Sequence, residues 1–327
     1  SNFISVEAGA HTIQVDGILP NGATATVIPE TPVTLAADTI YTISAINNVA
    51  NIEASIISQS DAPVSAGSAR VFVLHGTPGA IGPDFSLPVD VHVTAPGGAL
   101  DTPLNFDFRG TIGPVPLTAG DYQIRVFVAG STEAADLLFD SGTIPLGDGD
   151  DLRLVAVPNT AGGPGALTLA GLTPSGPVTI LDARTPTGLR LGHLSPDAGP
   201  VDVYANGAIY AGGVEYPTVT GFAALPAGTY TVSVAPATTM NDVIGPVDLP
   251  FDAGTLNSVL VVDTLDTILN DPDYLPIILR DDARPYATNA RVRVIHAAPG
   301  APTVDVYVVP VDPMMATDIT NVEPTLP

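Results

Sequence analysis

Two sequence blocks each occur three times, and their order along the chain constrains the fold more than any other feature. The first block is ARVFVLHGTPGA from Ala69, GLRLGHLSPDA from Gly188 and ARVRVIHAAPGAPTVDVYV from Ala290. Each copy joins alternating apolar residues to a His, a Pro-containing turn and a V-D-V strand, which reads VDVHV at Val89, VDVYA at Val201 and VDVYV at Val304. The second block is PLTAGDYQIRVFV from Pro116, ALPAGTYTVSV from Ala224 and SVEAGAHTIQV from Ser5. Its Ala-Gly pair makes a tight turn, and the alternating residues that follow fit a half-buried strand. The third first block has no second block after it, and the second block at Ser5 has no first block before it. Joined end to start, VEPTLP and SNFISVEAGAHTIQV lie without a gap on Val214 to Val234, with Phe3 on Phe222, Ala8-Gly9 on Ala227-Gly228 and Thr12 on Thr231.

The chain therefore divides into complete repeats at 68–184 and 185–287 and two fragments. Residues 288–327 read as the N-terminal part of one more repeat and residues 1–67 as its C-terminal part; together they make about one repeat length. Gly (32) and Pro (33) are dispersed among apolar segments rather than collected in tracts, which favours short strands and turns over disorder. The expected fold is all-β: tandem Ig-like or fibronectin-like β-sandwich domains, one of them split between the chain termini. The local exception is Asp263 to Leu275, whose acids and Leu/Ile spacing support a turn or two of helix. RDDARPYATN, Arg280 to Asn289, reads as a short linker.

Lys is absent, so the ten basic residues are all Arg, against 34 acids and a formal charge of -24. A field of that sign repels nucleic acid and anionic lipid, which excludes those partners. Without Lys, no Lys-Asn isopeptide staple can form. Without Cys there is no thiol catalysis, thiolate metal site or disulfide. No run of about 18 apolar residues exists, so no membrane-spanning helix is expected. The chain begins without Met and without a signal peptide, as a processed or excised piece would.

The combination H-x-x-P-[GD]-A, a V-D-V strand and PAG-[TD]-Y-x-[VI] resembles the secreted bacterial and archaeal domain of unknown function numbered 4397. The residues that carry this are His193, Pro196, Asp197, Val201 to Tyr204 and Pro226 to Val234, with counterparts at His75 and His296. The resemblance implies a secreted or cell-surface β-sandwich, often in tandem, and supplies no catalytic residues. The first complete copy departs from the pattern by an insertion, Ile81 to Pro88, between turn and strand.

Three sets of side chains are candidates for chemistry. The recurring His75, His193 and His296, with Asp90, Asp202 and Asp305, could form a repeated imidazole-carboxylate pair. Two ligands are too few for a metal, so the expected role is structural, with the His capping the Pro turn. Acid clusters at Leu146 to Asp151, Ile268 to Asp273 and Arg280 to Arg284 raise calcium, with Asp148, Asp150 and Asp151 as the weak candidates, although the closing glutamate of a twelve-residue calcium loop is missing. Otherwise no cofactor is expected. G-x-S-x-G and H-E-x-x-H are absent, and AGGPGA at Ala161 to Ala166 precedes neither Lys nor helix, so the chain is not expected to be an enzyme.

A sandwich cut between its strands exposes half a core and unpaired edges, and such pieces must find each other. The expected function is that of a structural subunit of an extracellular filament, in which one copy's tail completes the next copy's head. Val292, Val294, Val304, Val306 and Val308 would meet Phe3, Ile4, Val6, Ile13 and Val15 across that joint. Closure within one chain would instead make a ring, and a window cut from a longer array or a proteolytic nick fits the gapless junction as well as assembly does. The alternative function is a secreted adhesin or ligand-binding stalk whose loops engage a surface glycan or calcium.

Overall fold

Apolar alternation punctuated by Gly and Pro yields twenty-three strands among the described residues, with one short α-helix and two single turns of 3-10 helix. The computed structural model describes residues 3–19, 22–47, 49–77, 88–239, 241–271, 274–282 and 292–308. Residues 9–60 carry β1 (Gly9–Ile18), β2 (Thr24–Leu35), β3 (Thr39–Ile46) and β4 (Glu53–Ser60). Residues 68–180 carry β5 (Ser68–His75), β6 (Val89–Thr94), β7 (Leu104–Phe106), β8 (Thr111–Thr118), β9 (Gly120–Val128), β10 (Leu137–Asp140), β11 (Ile144–Leu146), β12 (Asp151–Pro158), β13 (Leu167–Thr173) and β14 (Gly176–Ile180). Residues 186–282 carry β15 (Pro186–His193), β16 (Val201–Ala205), β17 (Ala208–Val214), β18 (Thr218–Val219), β19 (Ala223–Pro226), β20 (Gly228–Pro236), β21 (Ile244–Phe251), β22 (Thr255–Val261), α1 (Leu265–Asn270) and β23 (Ile277–Asp282). The helix falls inside the stretch expected from the sequence and is capped by Thr264, whose hydroxyl accepts from the Thr267 N–H. No helix of the described residues is long and apolar enough to cross a membrane.

The second and third groups of strands each make two sheets. In 68–180 these are β14-β13-β12-β5-β8, and β10-β9-β6-β7 with β11 also on β9. In 186–282 they are β18-β15-β22-β23 with β19 also on β15, and β17-β16-β20-β21. Two pairings repeat: a parallel one, β5 with β12 and β15 with β22, and an antiparallel one, β6 with β9 and β16 with β20. Both strands of the first block are therefore central strands, flanked on each side. Arg280 to Asp282, the start of the expected linker, belong to β23 and pair with β22, since the alternating Ile277–Asp282 run extends the sheet. The remainder of that linker, and the insertion apart from Pro88, lie outside the described residues.

Alternation sends every second side chain inward, giving one core that includes Val91, Val126, Phe139 and Leu154, and another that includes Leu189, Val203, Phe251 and Val259. The two differ in packing. The first encloses a cavity of about 270 Å³, the second one of about 20 Å³. At matched sheet positions the first has Val71 for Leu189, Val73 for Leu191, Leu146 for Phe251 and Ala156 for Val261, each the smaller side chain. Atoms lining such a space lose dispersion contacts.

Residues 39–60 dock on the outer face of the β5–β12 sheet. Ile46 packs with Phe72 and Leu74, with Ile57, Phe108 and Val155 around them. Approach is close enough at Gly76 that a Cβ there would fall 3.2 Å from Ile46 Cγ2. Arg109 grips Glu53 through two hydrogen bonds of 2.7 and 3.0 Å. At the opposite end of β5, Asp151 accepts from Arg70 Nη2 and Arg153 Nη2, each at 2.6 Å, and Arg153 is only 3% exposed. With its amide oxygen turned inward, Gln59 accepts from Arg153 Nε and Nη2 at 2.8 and 2.6 Å, and the Phe3 ring lies 5.0 Å from the guanidinium carbon. Burial works to raise the Asp151 carboxyl, but the Arg70 hydrogen bond and the Arg153 charge outweigh it and hold the group below the ordinary carboxylate range. Burial also lowers the Arg153 guanidinium, against the pull of Asp151.

Replacing Asp151 by Asn leaves Arg153 buried without a counter-charge and is expected to cost about 3–5 kcal/mol at neutral pH. Because the folded carboxyl lies below its unfolded value, this contribution is full above about pH 4 and fades as pH falls through the depressed folded value, so wild-type and Asp151→Asn melting temperatures converge in acid. Val73→Leu, which copies Leu191 of the tighter unit, should stabilise residues 68–184 by roughly 0.5–2 kcal/mol and raise the matching calorimetric transition.

Candidate functional site

The strands β1–β4 reproduce the second half of the unit formed by 186–282. The β1–β2 pair matches Gly9 to Leu35, Ile13 to Thr31 and Val15 to Ile28; β20–β21 matches Gly228 to Phe251, Val232 to Val247 and Val234 to Ile244. One irregularity falls at the same place in both, between Ile13 and Val15 and between Val232 and Val234, and β1–β2 has a second between Val15 and Asp16. β3–β4 runs from Thr39–Ser60 to Ile46–Glu53, as β22–β23 runs from Thr255–Asp282 to Leu260–Ile277. Left-handed residues bracket both β3 and β22: Asp38 and Asn47 for the one, Gly254 and Asp263 for the other. A small hydrogen bond recurs in all three copies. Tyr122 donates to the Thr118 carbonyl and Tyr230 to the Pro226 carbonyl, both at 2.8 Å, and at the same position His11 Nε2 meets the Glu7 carbonyl at 2.7 Å.

What residues 3–60 lack is the first half. Among the described strands β1 pairs with β2 alone and β3 with β4 alone, so no described strand lies on the edges occupied by β16 and β15 in the complete unit. Core-facing side chains lie uncovered as a result. Ile43 is 43% exposed where Val259 is 4% exposed, while Thr42 and Ile46, on the opposite face, are buried against residues 68–184. Phe3, Ile4 and Val6 are 42, 83 and 51% exposed. Their counterparts along β19 and its approach are Phe222, itself 43% exposed, Ala223, also exposed, and the half-buried Leu225, so of the three only Val6 is exposed where its match is not; residues 3–7 form no strand.

The complementary sequence is present and equally exposed. Residues 292–308 form no strand beyond a single bridge at Val306. Val292, Val294, Val304 and Val308 are 71, 47, 44 and 58% exposed, whereas Leu189, Leu191 and Val201 at the first three of those positions are 3, 4 and 6% exposed. None of the strand pairings among the described residues joins Val292, Val294, Val304, Val306 and Val308 to Phe3, Ile4, Val6, Ile13 and Val15.

The recurring His and Asp do not hydrogen-bond to each other. His193 Nε2 meets the Gly199 carbonyl at 3.1 Å and His296 Nε2 the Pro302 carbonyl at 3.0 Å, six residues on in both cases, so the imidazole closes the Pro turn. His75 is buried, and burial lowers its pKa against the opposing charge of Asp107. Asp90 accepts from Asn105 Nδ2 and the Gly130 N–H, and the Asn105 bond leads in lowering its pKa; Asp202 accepts from the Gly213 and Thr238 N–H groups. Asp305 is exposed. These carboxylates fasten loops to strands. Of the calcium candidates, Asp148 accepts from the Gly67 N–H, Asp150 from the Gly147 N–H, and Asp151 binds two arginines, so they do not converge. Among the described residues no group of three or more His, Asp or Glu is placed to hold a metal ion. Sequence reasoning missed Arg70, Arg153 and Gln59, whose contacts join residues far apart in the chain; an Arg at an apolar-alternation position in DLRLVAV was the available signal.

Comparison with known proteins agrees with the repeat analysis. A search of the curated proteins finds no match. The family model described as a domain of unknown function, DUF4397, matches residues 1–86 and 187–307, which is more than half of the chain. Those segments contain the half-unit with open edges, the complete unit that serves as its template and the exposed third first block, and on that match the chain belongs to the DUF4397 family.

Proposed function

We propose that this chain is a structural subunit of an extracellular, cell-surface filament, joined copy to copy by completion of the half-sandwich in residues 3–60. The observation that carries the reading is the pair of open edges on β1 and β3, together with exposed first-block residues elsewhere in the chain that have the sequence of the missing strands. Unpaired edges flanking an uncovered apolar face invite strand addition, in which main-chain bonds give affinity and alternate side chains give specificity. Each Val, Ile or Phe that passes from exposed to buried contributes about 1.5–3 kcal/mol before ordering costs. A joint between unlike surfaces does not close on itself unless the rotation brings it back, so it propagates. The lack of Cys and Lys for covalent stapling supports a noncovalent polymer.

The test is negative-stain microscopy with sedimentation velocity on the purified chain. Wild type is expected to form fibres. Val306→Asp and Val15→Asp, which place a charge at a facing core position on either side of the joint, should each abolish them while leaving the melting of the complete units unchanged. Subunits carrying Val306→Asp keep an intact acceptor and should shorten wild-type fibres when mixed in. Fibres unaffected by both substitutions would overturn the reading.

A further inference from the structure

We infer that the half-sandwich of one copy is a slot for residues Val292–Val308 of a second copy in a single register, and that entry moves the Phe3 ring from its own Arg153 onto the incoming Arg293. This rests on the filament reading and names the partner segment and its alignment.

The register follows from the complete unit. β15 is held on both sides, antiparallel to β19 with Leu189 opposite Ala223, and parallel to β22 with Leu189 opposite Asn257 and Leu191 opposite Val259. The chain positions that match Ala223, Asn257 and Val259 are Ile4, Tyr41 and Ile43, while Leu189 and Leu191 correspond to Val292 and Val294. The incoming strand therefore lies between residues 3–7 and β3, as a central strand, with Val294 on Ile43 and Val292 between Tyr41 and Ile4. In the facing sheet β16 runs antiparallel to β20 with Val203 opposite Val234, Tyr204 opposite Ser233 and Ala205 opposite Val232. Val306 accordingly faces Val15, Tyr307 faces Gln14 and Val308 faces Ile13.

Three local features fit this alignment. In the complete unit Phe222 stacks on Arg190, with the guanidinium carbon 4.6 Å from the ring centre. Phe3 and Arg293 occupy the corresponding positions, and each has a substitute contact in the single chain: Phe3 covers Arg153 at 5.0 Å, and Arg293 Nη1 reaches Asp281 at 2.9 Å. The turn between the two donor strands is already closed by His296 and the Pro302 carbonyl, as His193 and Gly199 close it in the complete unit. A prefolded turn presents both strands together and lowers the ordering cost of entry. Finally, the contacts of Arg293 hold the donor beside β23, whereas the slot is docked on residues 68–184, which favours a second copy over the chain's own head.

The chain has no Cys, so introduced thiols report one contact each. Gln14→Cys and Tyr307→Cys, an outward-facing pair, are made in separate full-length preparations whose melting is first checked against wild type. On mixing under mild oxidation they are expected to form a covalent dimer in several-fold higher yield than Gln14→Cys mixed with Asp305→Cys, which is two residues out of register. Phe3→Ala and Arg293→Ala should each weaken association several-fold, and the double variant no more than either alone. Fibres without the Gln14–Tyr307 link, or equal yield from the shifted pair, overturn the register and leave the filament reading standing. The link in small closed oligomers without fibres supports the register and removes the filament. A chain bearing both thiols that cross-links only within itself overturns the second-copy assignment, and absence of both link and association overturns both readings.

Discussion

A central strand of a β-sandwich satisfies two demands at once: it pairs the backbone groups of both neighbours and covers half of an apolar face. The whole architecture turns on that double demand. In the two complete units it is met by β5 and β6, and by β15 and β16, which lie inside their sheets and leave the flanking strands no open inner edge. In residues 3–60 the flanking strands are present with the same register, a shared irregularity and left-handed residues at the same strand ends, and no described strand takes the central places. The half-unit is held in shape by its outer side instead, through Ile46 and Ile57 on the β5–β12 sheet and through Glu53 and Arg109. Its faces are thereby inverted in use: the outward face is buried and the inward face is open.

Much of this could be read in the sequence because repeats carry their own alignment. The V-D-V strand, the His-x-x-Pro turn and the Ala-Gly turn fixed matching positions in three copies, and β1, β16 and β20 begin where those motifs put them. Strand alternation in GTYTVSV and GAHTIQV gave the inward residues directly. The docking of residues 39–60 was not legible, although TIYTISAI has apolar residues on both faces of β3, which a half-exposed strand does not need. Pattern alone says that a second face is covered and is silent on what covers it. Arg153 shows the same limit from the other side. An arginine alternating with Leu and Val reads as solvent-facing, and only the fold brings Gln59, Arg70 and Asp151 around it.

The recurring His and Asp have a structural use at four of their six positions. His193 and His296 meet the carbonyl that ends the Pro turn, and Asp90 and Asp202 accept from N–H groups of the following loops. What repeats is the means of aiming two successive strands into opposite sheets. A family model that matches the half-unit, the complete unit and the third first block is recognising that scaffold.

The Arg70 contacts bear on how the half-unit is moored. β4 ends at Ser60 opposite Thr39, the first residue of β3. Two residues on, the Ala62 carbonyl accepts from Arg70 Nη1 at 3.0 Å, and the same guanidinium reaches Asp151 of β12 through Nη2 at 2.6 Å. One arginine thus clasps both ends of the loop between β4 and β5, and the loop acts as a short strap across the docked face.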